Sequence, residues 1–269
     1  MIRVATPWST AEIYLYGAHV AQFQKHGDPS LLFLSRSSVF VPGKPIRGGI
    51  PVIFPWFGQR ADKPGMHGVV RTRDWDLADV AVAADGRVAV RFRLPEQPES
   101  TGCAVEFTVT VADTLGAELA VANQSAAEIE FESCLHTYFT VGDIDTVSIA
   151  GLNGVDYLDK VEAFKRKTET NDAIRIESEV DRVYLDTPHA VEIRDGSLRR
   201  AIRIEKENSL STVVWNPWVA KARAMPDFGD EEYKHMICVE SGNVSLNPVK
   251  LGGGQTSRLK VLYSSLPLK

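Results

Sequence analysis

Two segments hold the residue types that proton transfer requires. In Ser133-Cys-Leu-His-Thr-Tyr-Phe139, the alternation of an extended chain puts His136 on one face with Cys134 and Tyr138, and turns Leu135 and Thr137 to the other. In His235-Met-Ile-Cys-Val-Glu-Ser241, the same rule puts Glu240 on a face with Met236 and Cys238. A carboxylate ending an apolar strand costs free energy unless it is paired, hydrogen-bonded or at a wet cleft. Desolvation there raises its pKa toward the range of a general base. Spacing leaves a structural reading open beside the catalytic one: a strand-mouth ion pair for Glu240, and a satisfied core imidazole for His136.

A second set of residues offers charge and shape. His67 and Arg71 stand four apart in Met-His-Gly-Val-Val-Arg, and on an extended segment they share a face with Val69 between them. Arg47 opens Arg-Gly-Gly, where small neighbours let a ligand approach the backbone. Arginine presents fixed donors that suit phosphate or carboxylate, although both arginines could equally pair with some of the 35 acidic residues. Asp181, in Val-Asp-Arg-Val-Tyr, either accepts from hydroxyl groups or bridges to Arg182. Trp56, Trp215 and Trp218 are large enough to stack on a sugar ring, and equally suited to packing a β core.

The elements that must position these residues read as strands. Period-2 alternation runs through Val88–Leu94, Val105–Val111, Ile129–Leu135, Val191–Arg194, Ile202–Glu205 and Ser257–Tyr263. Turn chemistry separates several of them at Asp85-Gly86, Asp195-Gly196 and Gly252-Gly253-Gly254. Helical periodicity is scarce, with a turn or two around Glu231–Lys234. Strands without intervening helices predict an all-β fold, a large antiparallel β-sandwich with few short helices. No repeat or linker divides the chain, so a single domain over residues 1–269 is expected. Phe40–Trp75 stands apart: it is dense in proline and glycine, does not alternate, and is where a binding site is expected.

Composition narrows the function. The 30 basic and 35 acidic residues give a net charge of −5, which argues against a nucleic-acid groove while leaving room for a local anion pocket. No stretch approaches the roughly 20 apolar residues of a membrane span, and no signal peptide is evident, so no membrane partner is expected. Cys103, Cys134 and Cys238 are odd in number and widely spaced, as in a reduced, cytoplasmic protein. No metal-ligand spacing appears, and neither metal nor cofactor is expected. No exposed amphipathic helix asks for a partner, so a monomer is expected.

Taken together, the segments resemble the glucose-6-phosphate 1-epimerases (hexose-6-phosphate mutarotases) of the galactose mutarotase superfamily. The matching blocks are Gly17-Ala-His, Ile46-Arg-Gly-Gly-Ile-Pro, Phe54-Pro-Trp-Phe-Gly and His67-Gly-Val-Val-Arg-Thr-Arg-Asp-Trp75. They continue with Leu135-His-Thr-Tyr-Phe-Thr-Val-Gly-Asp-Ile144, Asp181-Arg-Val-Tyr184, Val214-Trp-Asn-Pro-Trp218 and Cys238-Val-Glu240. The resemblance implies a β-sandwich with its active site in a cleft on one sheet, and interconversion of the α and β anomers of a hexose 6-phosphate. It implies Glu240 as general base, His136 as general acid, His67 beside the sugar ring, Asp181 on sugar hydroxyls, and Arg47 and Arg71 on the phosphate. Two positions depart from the family pattern: Met66 where several relatives carry Gln, and Cys134 where Ala or Ser is commoner. An aldose 1-epimerase acting on free hexoses, and a non-catalytic sugar-binding module, are the alternatives.

Overall fold

Strands that follow one another without crossover helices pair antiparallel, and they do so in the computed structural model, which describes residues 1–63, 65–96 and 102–268. An eight-stranded and a nine-stranded sheet dominate, with a three-stranded sheet at Ile2–Lys25 and a two-stranded one beside them. The eight-stranded sheet runs, in spatial order, through Lys165–Thr168, Asp156–Asp159, Val180–Leu185, Ser211–Asn216, Met236–Asn243, Ser133–Leu135 and Val52–Ile53. Tyr138–Thr140 also pairs with Met236–Asn243. The expected antiparallel β-sandwich is therefore what forms.

The alternation buries one face of each large sheet against the other. Leu135, Phe139, Val214, Ile237 and Val239 from the eight-stranded sheet share one core cluster with Phe107, Leu119, Ile193, Ile202 and Val261 from the nine-stranded sheet. Each such side chain contributes about 1.5–3 kcal/mol of burial. A hydrogen bond of 2.7 Å between the Thr137 and Tyr263 hydroxyls also joins the sheets.

The outer faces differ. In Leu115–Asn123 of the nine-stranded sheet, buried and half-exposed residues alternate, as expected of a sheet with one wet face. Met236–Asn243 is buried at all eight positions, so its sheet is covered on both faces. Two small apolar clusters provide the second cover. One gathers Phe33, Trp215, Phe228, Tyr233, Met236 and Cys238; the other gathers Ile53, Cys134, Val183, Leu185, Val213 and Val244.

The segment without alternation builds part of that cover. Val52–Ile53 pairs with Cys134–Leu135 at the sheet edge. Before it, the carbonyls of Gly49 and Pro51 accept from the amides of Tyr138 (2.9 Å) and His136 (3.0 Å). Gly49 has φ +60°, and a Cβ there would lie 2.2 Å from the Val20 carbonyl oxygen. Gly68 has φ +65°, and its Cβ would lie 2.0 Å from that of Phe54. Bare backbone is what allows both close approaches.

The structure departs from the alternation in two places. Ile129–Leu135 is two strands: Ile129–Phe131 pairs with Val249–Leu251 in the small sheet, and Ser133–Leu135 joins the large one. A change of sheet leaves the alternating pattern intact, so the sequence cannot announce it. The helix Trp218–Ala224, seven residues long, is too short to display a helical period. The turn expected near Glu231 is the 3₁₀ turn Glu232–His235, and the three glycines precede the strand Thr256–Pro267 as expected. Among the described residues, no helix is long and apolar enough to cross a membrane.

Gly68→Ala is expected to lower stability by about 2 kcal/mol or more, through the left-handed backbone and the lost approach to Phe54. It should also displace His67 and reduce activity. Thermal unfolding at unchanged Tm would contradict this.

Candidate active site

Strand register creates the central pair. Cys134 lies opposite Gly242, and Tyr138 opposite Cys238. The register is the same on both sides of the break at His136–Thr137, which brings His136 opposite Glu240. The His136 Nε2 atom lies 3.2 Å from Glu240 Oε1, and the residues are 6% and 1% exposed. The expected faces hold: Leu135 and Phe139 point into the core, while Cys134 and Tyr138 share the side of His136. Tyr138 stacks on the His136 ring with centroids 4.9 Å apart.

His67 arrives from the proline- and glycine-rich segment by a route that corrects the extended reading. His67 and Gly68 both have positive φ, and Val70–Thr72 forms a 3₁₀ turn. The chain folds back and still delivers His67 and Arg71 to one cavity. The Gly58 amide donates to His67 Nδ1 at 3.2 Å, so the ring proton sits on Nε2 as a donor. The edges of Phe57 and His136 pack against that ring, with centroids at 4.6 and 5.4 Å.

All six candidate residues line a cavity of about 260 Å³, together with Tyr138, Lys160, Trp215 and Lys221. Larger concavities of about 790 and 680 Å³ lie beside Glu231 and along the outer face of the nine-stranded sheet. The former is lined by His235 with Asp230, Glu231 and Glu232, none of which is buried, whereas the small cavity holds a buried histidine–carboxylate pair.

The cations around the cavity have unequal partners. Arg47 donates to Asp227 Oδ2 through Nε (3.2 Å) and Nη2 (3.1 Å), and to the Tyr138 hydroxyl through Nη1 (3.1 Å). Lys160 pairs with Asp181 at 3.0 Å, and Lys221 with Glu179 at 2.8 Å. Arg71 donates to the Met66 carbonyl at 2.8 Å and has no carboxylate partner among the described residues. Asp181 does not bridge to Arg182, because adjacent strand residues face opposite ways; Arg182 reaches Glu169 at 3.3 Å instead.

Burial, and then the charges of Arg71 and Arg47, hold the His136 pKa well below 6.5. Burial raises that of Glu240 well above 4.5, with Asp181 adding and Lys160 and Arg71 opposing. Burial, with Arg71 adding, also keeps His67 neutral. Between those limits the opposed pair holds a single proton, on the carboxyl group or on the imidazole. Burial, with Arg47 adding, lowers Arg71 to about 10, so it stays charged near neutral pH.

Lys160, Lys221, Met225 and Asp227, the partner of Arg47, are among the residues that the sequence reading did not single out. Lys160 follows a strand as an ordinary turn lysine, and only its contact with Asp181 marks it. Of the tryptophans, Trp215 lines the cavity, Trp56 is core at 2% exposure, and Trp218 packs on Tyr233. The side-chain ligand atoms of His136, Cys238 and Glu240 lie within 4.8 Å of one another. Burial and then the Glu240 charge raise the Cys238 thiol pKa well above its ordinary value.

Comparison with known proteins gives the family of this β-sandwich and its buried His136–Glu240 pair. The chain belongs to the aldose 1-epimerase family, whose model matches residues 1–264. It is 38% identical over 274 residues to a Cenchrus ciliaris protein named "Putative glucose-6-phosphate 1-epimerase", covering 96% of this chain and 82% of that one. A protein of the same name from Escherichia coli (strain K12) is 36% identical over 248 residues, covering 91% and 83%. A crystal structure from Salmonella typhimurium described as a "putative mutarotase" superposes with a TM-score of 0.91 at 30% identity, covering 98% of this chain and 90% of that one.

Activity is expected to follow a bell-shaped pH profile. On the acid side, below 6.5, His136 takes a second proton onto the pair; on the alkaline side, above the ordinary carboxyl range, Glu240 gives up the shared one. Initial rates across pH check this, and a monotonic profile would contradict it.

Proposed function

We propose that this protein interconverts the α and β anomers of a hexose 6-phosphate, with glucose 6-phosphate as the first substrate to test. The observation that carries the reading is one cavity holding both the opposed His136–Glu240 pair and an arginine, Arg71, without a carboxylate partner. The names of the relatives point the same way.

In this reading Glu240, ionised, takes the proton from the C1 hydroxyl while protonated His136 gives one to the ring oxygen. The C1–O5 bond breaks, the aldehyde rotates about C1–C2, and the reverse transfers close the ring on either face. The pair begins with its proton on His136 and ends with it on Glu240, so the count is unchanged. Each transfer contributes roughly 10²- to 10⁴-fold.

The other residues orient the sugar. His67 donates from Nε2 and Asp181 accepts from hydroxyl groups, with Lys160 beside it. Arg71 receives the phosphate, and Arg47, held by Asp227 and Tyr138, adds positive charge on the same side. A charge-assisted anchor fixes the ring without touching the reacting carbon. The reading includes a single-domain, monomeric cytoplasmic enzyme that binds neither nucleic acid nor membrane. The net charge of −5 speaks against a nucleic-acid partner, and the three free cysteines suit a reducing compartment.

Exchange spectroscopy on α and β glucose 6-phosphate, with free glucose in parallel, tests this reading. Arg71→Ala is expected to lose about 10- to 100-fold in kcat/KM for the phosphosugar, the worth of one or two charged hydrogen bonds. Free glucose should be affected far less. Equal losses for both would overturn the phosphate assignment and favour a free-hexose epimerase.

A further inference from the structure

The two carboxylate oxygens of Glu240 have different surroundings. Oε1 faces His136, while Oε2 lies 3.5 Å from the Cys134 sulfur, within reach of a thiol hydrogen bond. Among the described residues, Cys134 is the side chain that hydrogen-bonds the Glu240 carboxylate, and His136 lies beside it at ion-pair distance. Cys134 belongs to a buried apolar cluster with Ile53, Val183, Leu185, Val213 and Val244. Gly242 stands across from Cys134, and a Cβ there would lie 2.8 Å from the Cys134 Cβ. The glycine thus leaves the space that the Cys134 side chain occupies.

We propose that Cys134 is a positioning residue for the general base: its thiol donates to Glu240 Oε2, aims Oε1 at the reacting hydroxyl, and sets the basicity of the carboxylate. This rests on the hexose-6-phosphate reading above. A thiol is a weak donor, so it stabilises the anion without quenching its basicity. Alanine would offer no donor and serine a stronger one. Burial, with the charge of Glu240 adding, keeps the thiol protonated, as donation requires.

The sign follows from which form the donor stabilises. A hydrogen bond to the ionised carboxylate lowers its pKa, so removal raises it. Glu240 also faces His136, Tyr138, Cys238, Arg71, Lys160 and Asp181, while Cys134 faces Glu132 and Lys206, the latter lowered to about 7 by burial; all of these side chains are retained when position 134 is substituted. In Cys134→Ala the shared proton stays on the carboxyl group more of the time, leaving His136 less often charged.

The test is the pH dependence of α/β exchange of glucose 6-phosphate in wild type, Cys134→Ala and Cys134→Ser, with thermal unfolding recorded alongside. Cys134→Ala is expected to lower kcat by about three- to tenfold and to move the alkaline limb of kcat/KM up by about half to one pH unit, the worth of one weak hydrogen bond. Cys134→Ser should recover kcat and move that limb down. A uniform loss with limbs unmoved, or limbs moving the same way in both variants, would overturn the proposal. If either variant fails to fold, the other still gives the direction of the limb. Absence of exchange in wild type would instead refute the hexose-6-phosphate reading itself.

Discussion

The arrangement depends on one register. Met236–Asn243 pairs with Ser133–Leu135 and with Tyr138–Thr140 without a slip between them, although the ladder is interrupted at His136 and Thr137. That continuity brings an imidazole and a carboxylate from distant segments within 3.2 Å. A slip by one residue would turn every side chain to the other face. Glu240 would enter the main core and Val239 would face the cavity. The interlocking apolar residues of the two large sheets are what forbid the slip, so core packing and the geometry of the His136–Glu240 pair are the same constraint.

A buried ionisable pair is costly, and the fold tolerates it by confining it. Two apolar clusters cover the outer face of the sheet on either side, and the proline- and glycine-rich segment joins the cover. The same enclosure gives the pair its chemistry. Low solvation pushes both groups toward neutrality, so a single proton held between them is the stable state. The surrounding cations then bias where it sits: Arg71 and Arg47 disfavour a charged His136, while Lys160 and Arg71 favour an ionised Glu240.

Much of this was legible in the sequence because strand alternation is a local signal. It assigned the faces around His136 and Glu240 correctly, and composition with turn chemistry gave the sandwich. Other features depend on long-range packing. The sheet change between Ile129–Phe131 and Ser133–Leu135 keeps the alternation and so leaves no trace. His67 and Arg71 reach the cavity through two positive-φ residues and a 3₁₀ turn, not along a strand. Lys160 is a turn lysine until Val180–Leu185 brings Asp181 to it. The opposite environments of the two Glu240 oxygens appear only when Gly242 is seen across from Cys134.

The central claim is that His136 and Glu240 act as one unit on one proton. Anomer exchange of glucose 6-phosphate, measured in Glu240→Gln, His136→Asn and the double variant, tests it most directly. If the two residues form a single device, each single substitution removes nearly all exchange above the buffer rate, and the double removes no more. Near-wild-type exchange in either single variant, or losses that multiply in the double, would contradict the account.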